Sequence, residues 1–331
     1  MDGMADHGSR VYSSPTMLRV SALEVRFATG RRVVRALDGV SLDVQRGESL
    51  GIVGESGCGK STLARAILRL VPVAGGRIEF EGQDVLALRG PALRRMRPAL
   101  QMVFQDPLAS LNPRLTVETI VGEAACVHGV VQSRAALREA VAHWLARVGL
   151  AADDMRRYPH EFSGGQRQRI AIARALILRP RLLICDEAVS ALDVSIQAQV
   201  LELLTELRAE LELTCLFIAH NLAVVRHFCA RVAVMYLGRI VEEASAVDLF
   251  ERPRHPYTQA LIAASFEPKV TPRGRILPIR GEPPDPTDPP SGCAFRTRCA
   301  LAVERCALER PELVAGRPGH AVACHFAWAD G

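Results

Sequence analysis

Aromatic residues make up only 5% of the 331 residues, so aliphatic side chains must fill whatever core forms, as they do when helices cover both faces of a mostly parallel sheet. Apolar runs near the ~18 residues of a membrane span are absent, and residues 1–17 hold no apolar signal-peptide core. A chain that stays in the cytoplasm is therefore expected. Nine cysteines in that reducing compartment point to thiols or metal ligands rather than disulfides. Lysine is scarcer still, with two, Lys60 and Lys269, against 39 arginines. A position that keeps Lys against such a bias needs a compact ammonium and not a planar fork. The net charge of +5 comes without a dense basic run, which argues against a nucleic-acid partner. With 49% apolar and 23% charged residues the composition is globular, and the length suits two domains or one large domain with an appendage.

Residues 1–17 lack periodicity and read as a loose tail. Apolar and polar residues alternate over 18–27 and 40–44, the pattern of half-buried antiparallel strands. The apolar run 50–53 leads through a glycine-rich loop into a helical pattern from Thr62 to Leu70, and residues 75–85 read as a short hairpin. About 106–160 is a helical insert, rich in Ala, Leu, Arg and Glu. Strands at 182–185, 215–219 and 232–236, separated by helical segments, imply βαβ units and a parallel sheet, hence an α/β fold. Ten of the 20 prolines fall between Pro253 and Pro290, a density that stops helices and strands from propagating. A domain boundary is placed near Phe250, with a Cys-rich extension over 251–331.

Gly54-Glu55-Ser56-Gly57-Cys58-Gly59-Lys60-Ser61 matches G-x-x-x-x-G-K-[ST] between a strand and a helix. Gly57 and Gly59 let backbone N–H groups turn towards phosphate oxygens, and the helix starting near Thr62 aims its positive end at the same anion. One of only two lysines, Lys60, is positioned to reach the β and γ phosphates, and the Ser61 hydroxyl to ligate Mg²⁺. Cys58, beside a helix N-terminus, is expected to have a lowered thiol pKa. Phosphoryl transfer also needs a metal-binding carboxylate and a group to position water. The apolar strand Leu182–Cys185 ends in Asp186 and Glu187, which fit those two roles in that order.

Ser163-Gly164-Gly165-Gln166 followed by Arg167-Gln168-Arg169 resembles the signature of ABC-type ATPases. Gln105 stands in that family's Q-loop position, Ser190-Ala191-Leu192-Asp193 in its D-loop and His220 in its switch position. The resemblance implies a P-loop α/β core with an N-terminal antiparallel β subdomain and an inserted helical subdomain. It implies ATP and Mg²⁺ bound by residues 54–62, Gln105 and Asp186, with Glu187, His220 and Gln105 in catalysis. Ser163, Gly165, Gln166 and Asp193 would close over a partner's nucleotide in a head-to-tail dimer. Phe27 is the candidate for stacking on adenine. Departures are Ala188-Val189 for Pro-Thr, Asn221 for Asp after the switch His, and Phe162 for Leu before the signature.

Residues 189–199, His255-Pro256-Tyr257-Thr258 and a tail with Gly281-Glu282-Pro283-Pro284 and Cys293, Cys299, Cys306 and Cys324 resemble ATP-binding subunits of bacterial peptide and nickel importers. This implies a peripheral protein on the cytoplasmic face of the inner membrane. Its partners would be a second ATP-binding subunit, identical or paralogous, two permease subunits and an extracytoplasmic solute-binding protein. The solute would be an oligopeptide or dipeptide, alternatively nickel, glutathione or another small solute. A soluble DNA-repair or translation ATPase is the rival reading, disfavoured because no coiled-coil insert or second cassette is present. The C-x5-C-x6-C-x17-C spacing has no C-x2-C hook. Some relatives hold an iron–sulfur cluster there, so a [4Fe-4S] cluster, zinc and free thiols all remain open, with His320 and His325 as substitute ligands.

Overall fold

A computed structural model describes residues 15–30, 32–265 and 281–328. Its strands are, in chain order, β1 (Thr16–Thr29), β2 (Arg32–Gln45), β3 (Ser49–Val53), β4 (Gly75–Phe80), β5 (Gln83–Asp84), β6 (Leu100–Val103), β7 (Leu182–Asp186), β8 (Thr214–Ala219), β9 (Arg231–Tyr236), β10 (Arg239–Ser245), β11 (Val314–Arg317) and β12 (His320–Val322). A four-stranded antiparallel sheet runs β2-β1-β4-β5, and an eight-stranded sheet runs β11-β12-β10-β9-β3-β8-β7-β6. Within the larger sheet β9, β3, β8, β7 and β6 pair in parallel, and β10, β12 and β11 add an antiparallel edge.

The parallel strands are buried on both faces, which is why they read as unbroken apolar runs. Val53, Leu183, Cys185, Phe217 and Val234 face a core shared with the helical insert. Their alternates Ile52, Leu182, Ile184, Leu216 and Met235 face a second core under the antiparallel sheet. The strand period of two thus divides one sheet between two cores. The first follows the helices Val117–Val127, Arg134–Arg147 and Gly164–Leu176, and the second the helix Lys60–Ile67.

The expected strands, hairpin and helical insert are present, with three differences. Met17 is buried in β1, so the tail ends sooner than residue 17; residues 1–14 lie outside the described residues, as does Lys269. The Pro-rich stretch contains a helix, Pro256–Ser265, whose only proline occupies the first position, where a missing N–H costs nothing. The extension is also not a separate body, because β12 pairs with β10 through Glu242↔Val322 and Glu243↔Ala321.

A buried carboxylate anchors that edge. Glu242 is 0% exposed and accepts from the N–H groups of Arg254 at 2.7 Å and His255 at 2.9 Å, while its Oε1 lies 2.8 Å from His320 Nε2. His255 Nδ1 accepts from the Tyr257 N–H at 3.0 Å, so its ring is neutral. Burial lowers the His255 pKa from 6.5 to about 4, against the opposing pull of Glu242. Between these values the unfolded chain binds a proton that the folded chain does not. Stability is therefore complete above pH 6.5 and declines as pH falls towards 4, by about 3 kcal/mol from this residue. Denaturant unfolding at a series of pH values should show that slope, and His255→Asn, which keeps an acceptor but cannot titrate, should flatten it.

Candidate functional site

The loop between β3 and the helix Lys60–Ile67 is shaped by glycines with positive φ. A Cβ on Gly54 (φ +153°) would come 2.2 Å from the Met235 carbonyl oxygen, and one on Gly59 (φ +108°) 2.4 Å from that of Ala36. Only glycine fits there. Gly57 faces open space, on a cavity of about 690 Å³ lined by Ser56, Gly57, Gly59, Lys60, Ser61 and Thr62. The Lys60 ammonium donates to the carbonyls of Gly54 at 2.8 Å and Glu55 at 2.9 Å. The Ser61 hydroxyl donates to Asp186 Oδ1 at 2.8 Å, which joins the helix start to the end of β7. Burial raises the Asp186 pKa, partly offset by that hydrogen bond.

Glu187, next in the chain, lies at the cavity between two partners from other elements. Gln105 Nε2 donates to Glu187 Oε2 at 2.7 Å, and His220 Nδ1 lies 3.4 Å from the same oxygen. Glu187 has φ +47°, a left-handed conformation that costs a non-glycine residue free energy unless the surroundings hold it. Here its N–H donates to Ile218 O at 2.9 Å, and its C=O accepts from the Ser190 N–H and hydroxyl at 3.0 and 2.9 Å. Ser190, noted only as part of the D-loop, thus has a stated physical task. Gln105 faces Glu187 through its amide nitrogen, whereas Ser61 and Asp186 face each other through oxygens.

The signature residues lie elsewhere. Ser163 starts the helix Gly164–Leu176 with a reciprocal capping box, its Oγ accepting from the Gln166 N–H at 3.3 Å and Gln166 Oε1 from the Ser163 N–H at 3.0 Å. Ser163, Gly165, Gln166 and Asp193 are not among the cavity-lining residues. A Cβ on Gly165 would meet Ile196 at 2.4 Å, so this glycine packs the helix against the one starting at Val194. Phe27 packs half-buried against the core under the antiparallel sheet, on the same sheet face as its register partner Val34, which lines the cavity. Asn221 caps the helix Leu222–Phe228, its side chain accepting from the Ala223 N–H at 2.9 Å, a role an Asp would fill equally.

Cys58 reverses the expectation placed on it. It is 4% exposed, and burial raises its thiol pKa despite the neighbouring Lys60 ammonium. The N-cap is Gly59, one residue on, and desolvation outweighs the helix end. Brief alkylation of native protein at pH 7.5 should label the exposed Cys126 and spare Cys58, as peptide mapping would show.

Of the C-terminal cysteines, Cys293 donates its N–H to Cys306 O at 2.8 Å. Burial raises the thiol pKa values of Cys293, Cys299 and Cys324, the last to about 11. Among the described residues no group of three or more Cys, His, Asp or Glu is arranged to hold a metal ion. His320 is engaged by Glu242, and His325 Nε2 lies 3.1 Å from Glu309 O. As placed, these side chains do not fit a cluster.

A model of the family described as "ABC transporter" matches residues 37–190, and one described as "Oligopeptide/dipeptide transporter, C-terminal region" matches residues 241–306. The oligopeptide transport ATP-binding protein OppF of Salmonella typhimurium is 51% identical over 295 residues, 88% of this chain and 88% of that protein. The chain belongs to the ABC transporter ATP-binding family. Another relative of this ABC protein, the oligopeptide transport ATP-binding protein AppF of Bacillus subtilis, is 52% identical over 298 residues, 88% of this chain and 90% of that one. A dimeric post-hydrolysis structure of an ATP-binding cassette bound to ADP and Pi superposes with a TM-score of 0.64 at 28% identity, covering 70% of this chain and 99% of that one. The described part of the ABC protein contains no helix long and apolar enough to cross a membrane.

Two residues that hold the phosphate loop from outside carry no signal of that role in the sequence. Tyr257 stands out only within the His255-Pro256-Tyr257-Thr258 segment, and Arg298 directly precedes Cys299. No local spacing signals either, because each meets the phosphate loop across more than 200 residues of chain.

Proposed function

We propose that this chain is the ATP-hydrolysing subunit of an oligopeptide or dipeptide importer, acting as a peripheral protein on permease subunits at the cytoplasmic face of the membrane. The observation that carries the reading is the Glu187 carboxylate held between Gln105 and His220 at the rim of a glycine-lined phosphate loop. Two hard oxygen donors 2.8 Å apart, Ser61 Oγ and Asp186 Oδ1, fit Mg²⁺. When bound, that ion neutralises charge on the phosphate oxygens. Lys60 binds phosphate, Glu187 accepts a proton from the attacking water, and Gln105 and His220 hold the carboxylate in place. Ser163 is exposed at a helix start outside its own cavity, which supports its donation to the nucleotide of a second ATP-binding subunit. An extracytoplasmic binding protein would supply the peptide.

The proposal assigns no metal to Cys293, Cys299, Cys306 and Cys324. Peptide uptake by a strain lacking the chromosomal copy should return with the wild-type gene and not with Lys60→Ala. Uptake restored by both would overturn the assignment.

A further inference from the structure

The C-terminal extension reaches the phosphate loop directly. Arg298, with a side chain 5% exposed, forks onto both carboxylate oxygens of Glu55, Nη1 to Oε2 at 2.6 Å and Nη2 to Oε1 at 2.9 Å. Glu55 is the second residue of the loop, and its own N–H donates to Tyr257 Oη at 2.9 Å. Its carbonyl accepts from Lys60 Nζ at 2.9 Å and from the Cys58 N–H at 3.3 Å. One loop residue is therefore held by side chain and main chain from outside the loop, while its carbonyl orients the ammonium that meets phosphate.

The groups that hold it are themselves fixed. Tyr257 packs on Tyr236 and Phe295 with ring centroids 4.7 and 5.3 Å away. The Arg298 N–H donates to Phe295 O at 3.0 Å, in a turn opened by Cys293, whose N–H is tied to Cys306 O. A bidentate guanidinium–carboxylate pair with little solvent around the guanidinium gives geometric precision as well as energy. The extension also lines the cavity opposite β2, through Pro290, Arg310 and Leu313.

We propose that Arg298 and Tyr257 are positioning residues for the phosphate loop, through which the Cys-rich extension sets the loop's affinity for nucleotide. This rests on the nucleotide reading above and names residues that act on that site through Glu55. An ion pair that only stabilised the fold would leave nucleotide affinity unchanged.

Titration calorimetry of the full-length chain with Mg-ATP, with the melting temperature of nucleotide-free protein alongside, separates the two. Arg298→Gln should weaken binding about tenfold, since a charged hydrogen-bonded pair is lost. Arg298→Lys should recover part of that loss. Arg298→Gln with Glu55→Gln should be no weaker than the worse single variant, because both remove one contact. Tyr257→Phe, nearly isosteric, should weaken binding about threefold. Parental affinity in both Arg298→Gln and Tyr257→Phe, whatever happens to their melting temperatures, would overturn the proposal. In the same assay Lys60→Ala tests the underlying reading. If it loses binding while the Arg298 and Tyr257 variants keep theirs, only the positioning role is lost; if it binds normally, the nucleotide site itself is misassigned.

Discussion

Glu187→Gln should lower ATP turnover by about 10³-fold, within the range of 10²- to 10⁴-fold typical of general-base assistance, while ATP still binds. The substitution is nearly isosteric, and the left-handed turn at Glu187 is held by main-chain bonds to Ile218 and Ser190, so backbone geometry should survive. What changes is the oxygen that Gln105 and His220 now hold. An amide cannot take a proton from water, and its nitrogen repels the Gln105 donor unless one amide flips. Phosphate contacts from Lys60 and the loop are untouched, so binding free energy remains and only the chemical step is lost. A bound nucleotide that is not cleaved keeps two chains together if Ser163 of one caps the nucleotide of the other. Gel filtration of Glu187→Gln with ATP should therefore show a dimer that ADP does not produce. Wild-type turnover would remove Glu187 from the role.

The core cassette was legible because its signals are local. A phosphate loop needs glycines within eight residues, and a strand buried on both faces must be apolar throughout, as at Leu182–Cys185. The convergence of Gln105, Glu187 and His220 is not local, and only the resemblance placed them together; the distances now give it a geometry. One expectation failed for an identifiable reason. Cys58 was judged by the helix end beside it, but burial, which a sequence does not display, decides its proton. Phe27, the candidate for adenine because of the loop that follows it, shares a sheet face with its register partner Val34, which lines the cavity. The extension, set apart in sequence near Phe250 by its prolines and cysteines, is joined to the cassette by pairing with β10 and by the Arg298–Glu55 contact. Composition detects a change of texture along a chain. It does not detect a return in space.

Lys60→Ala should cost at least about a hundredfold in ATP affinity, the loss of two or more charge-assisted hydrogen bonds of about 1.5–3 kcal/mol each. Lys60 is 4% exposed, and its ammonium spans the loop by donating to the carbonyls of Gly54 and Glu55. Those bonds preorganise the loop before nucleotide arrives, and the third donor of the ammonium, 3.8 Å from Cys58 Sγ, has only a weak sulfur acceptor to give up for a phosphate oxygen. Removing the group takes away both the scaffold and the positive charge. Lys60→Arg isolates the second factor, since it keeps the charge in a planar fork that cannot place three donors around one point. Backbone also approaches Gly54 and Gly59 to within a Cβ's reach, so the loop has little room to shift around a larger head group. Lys60→Arg should therefore weaken ATP binding about tenfold or more, in a chain that otherwise uses Arg at 39 of its 41 basic positions. Full affinity in Lys60→Arg, measured by titration calorimetry, would mean that charge alone suffices and that the rarity of lysine here carries no information about the site.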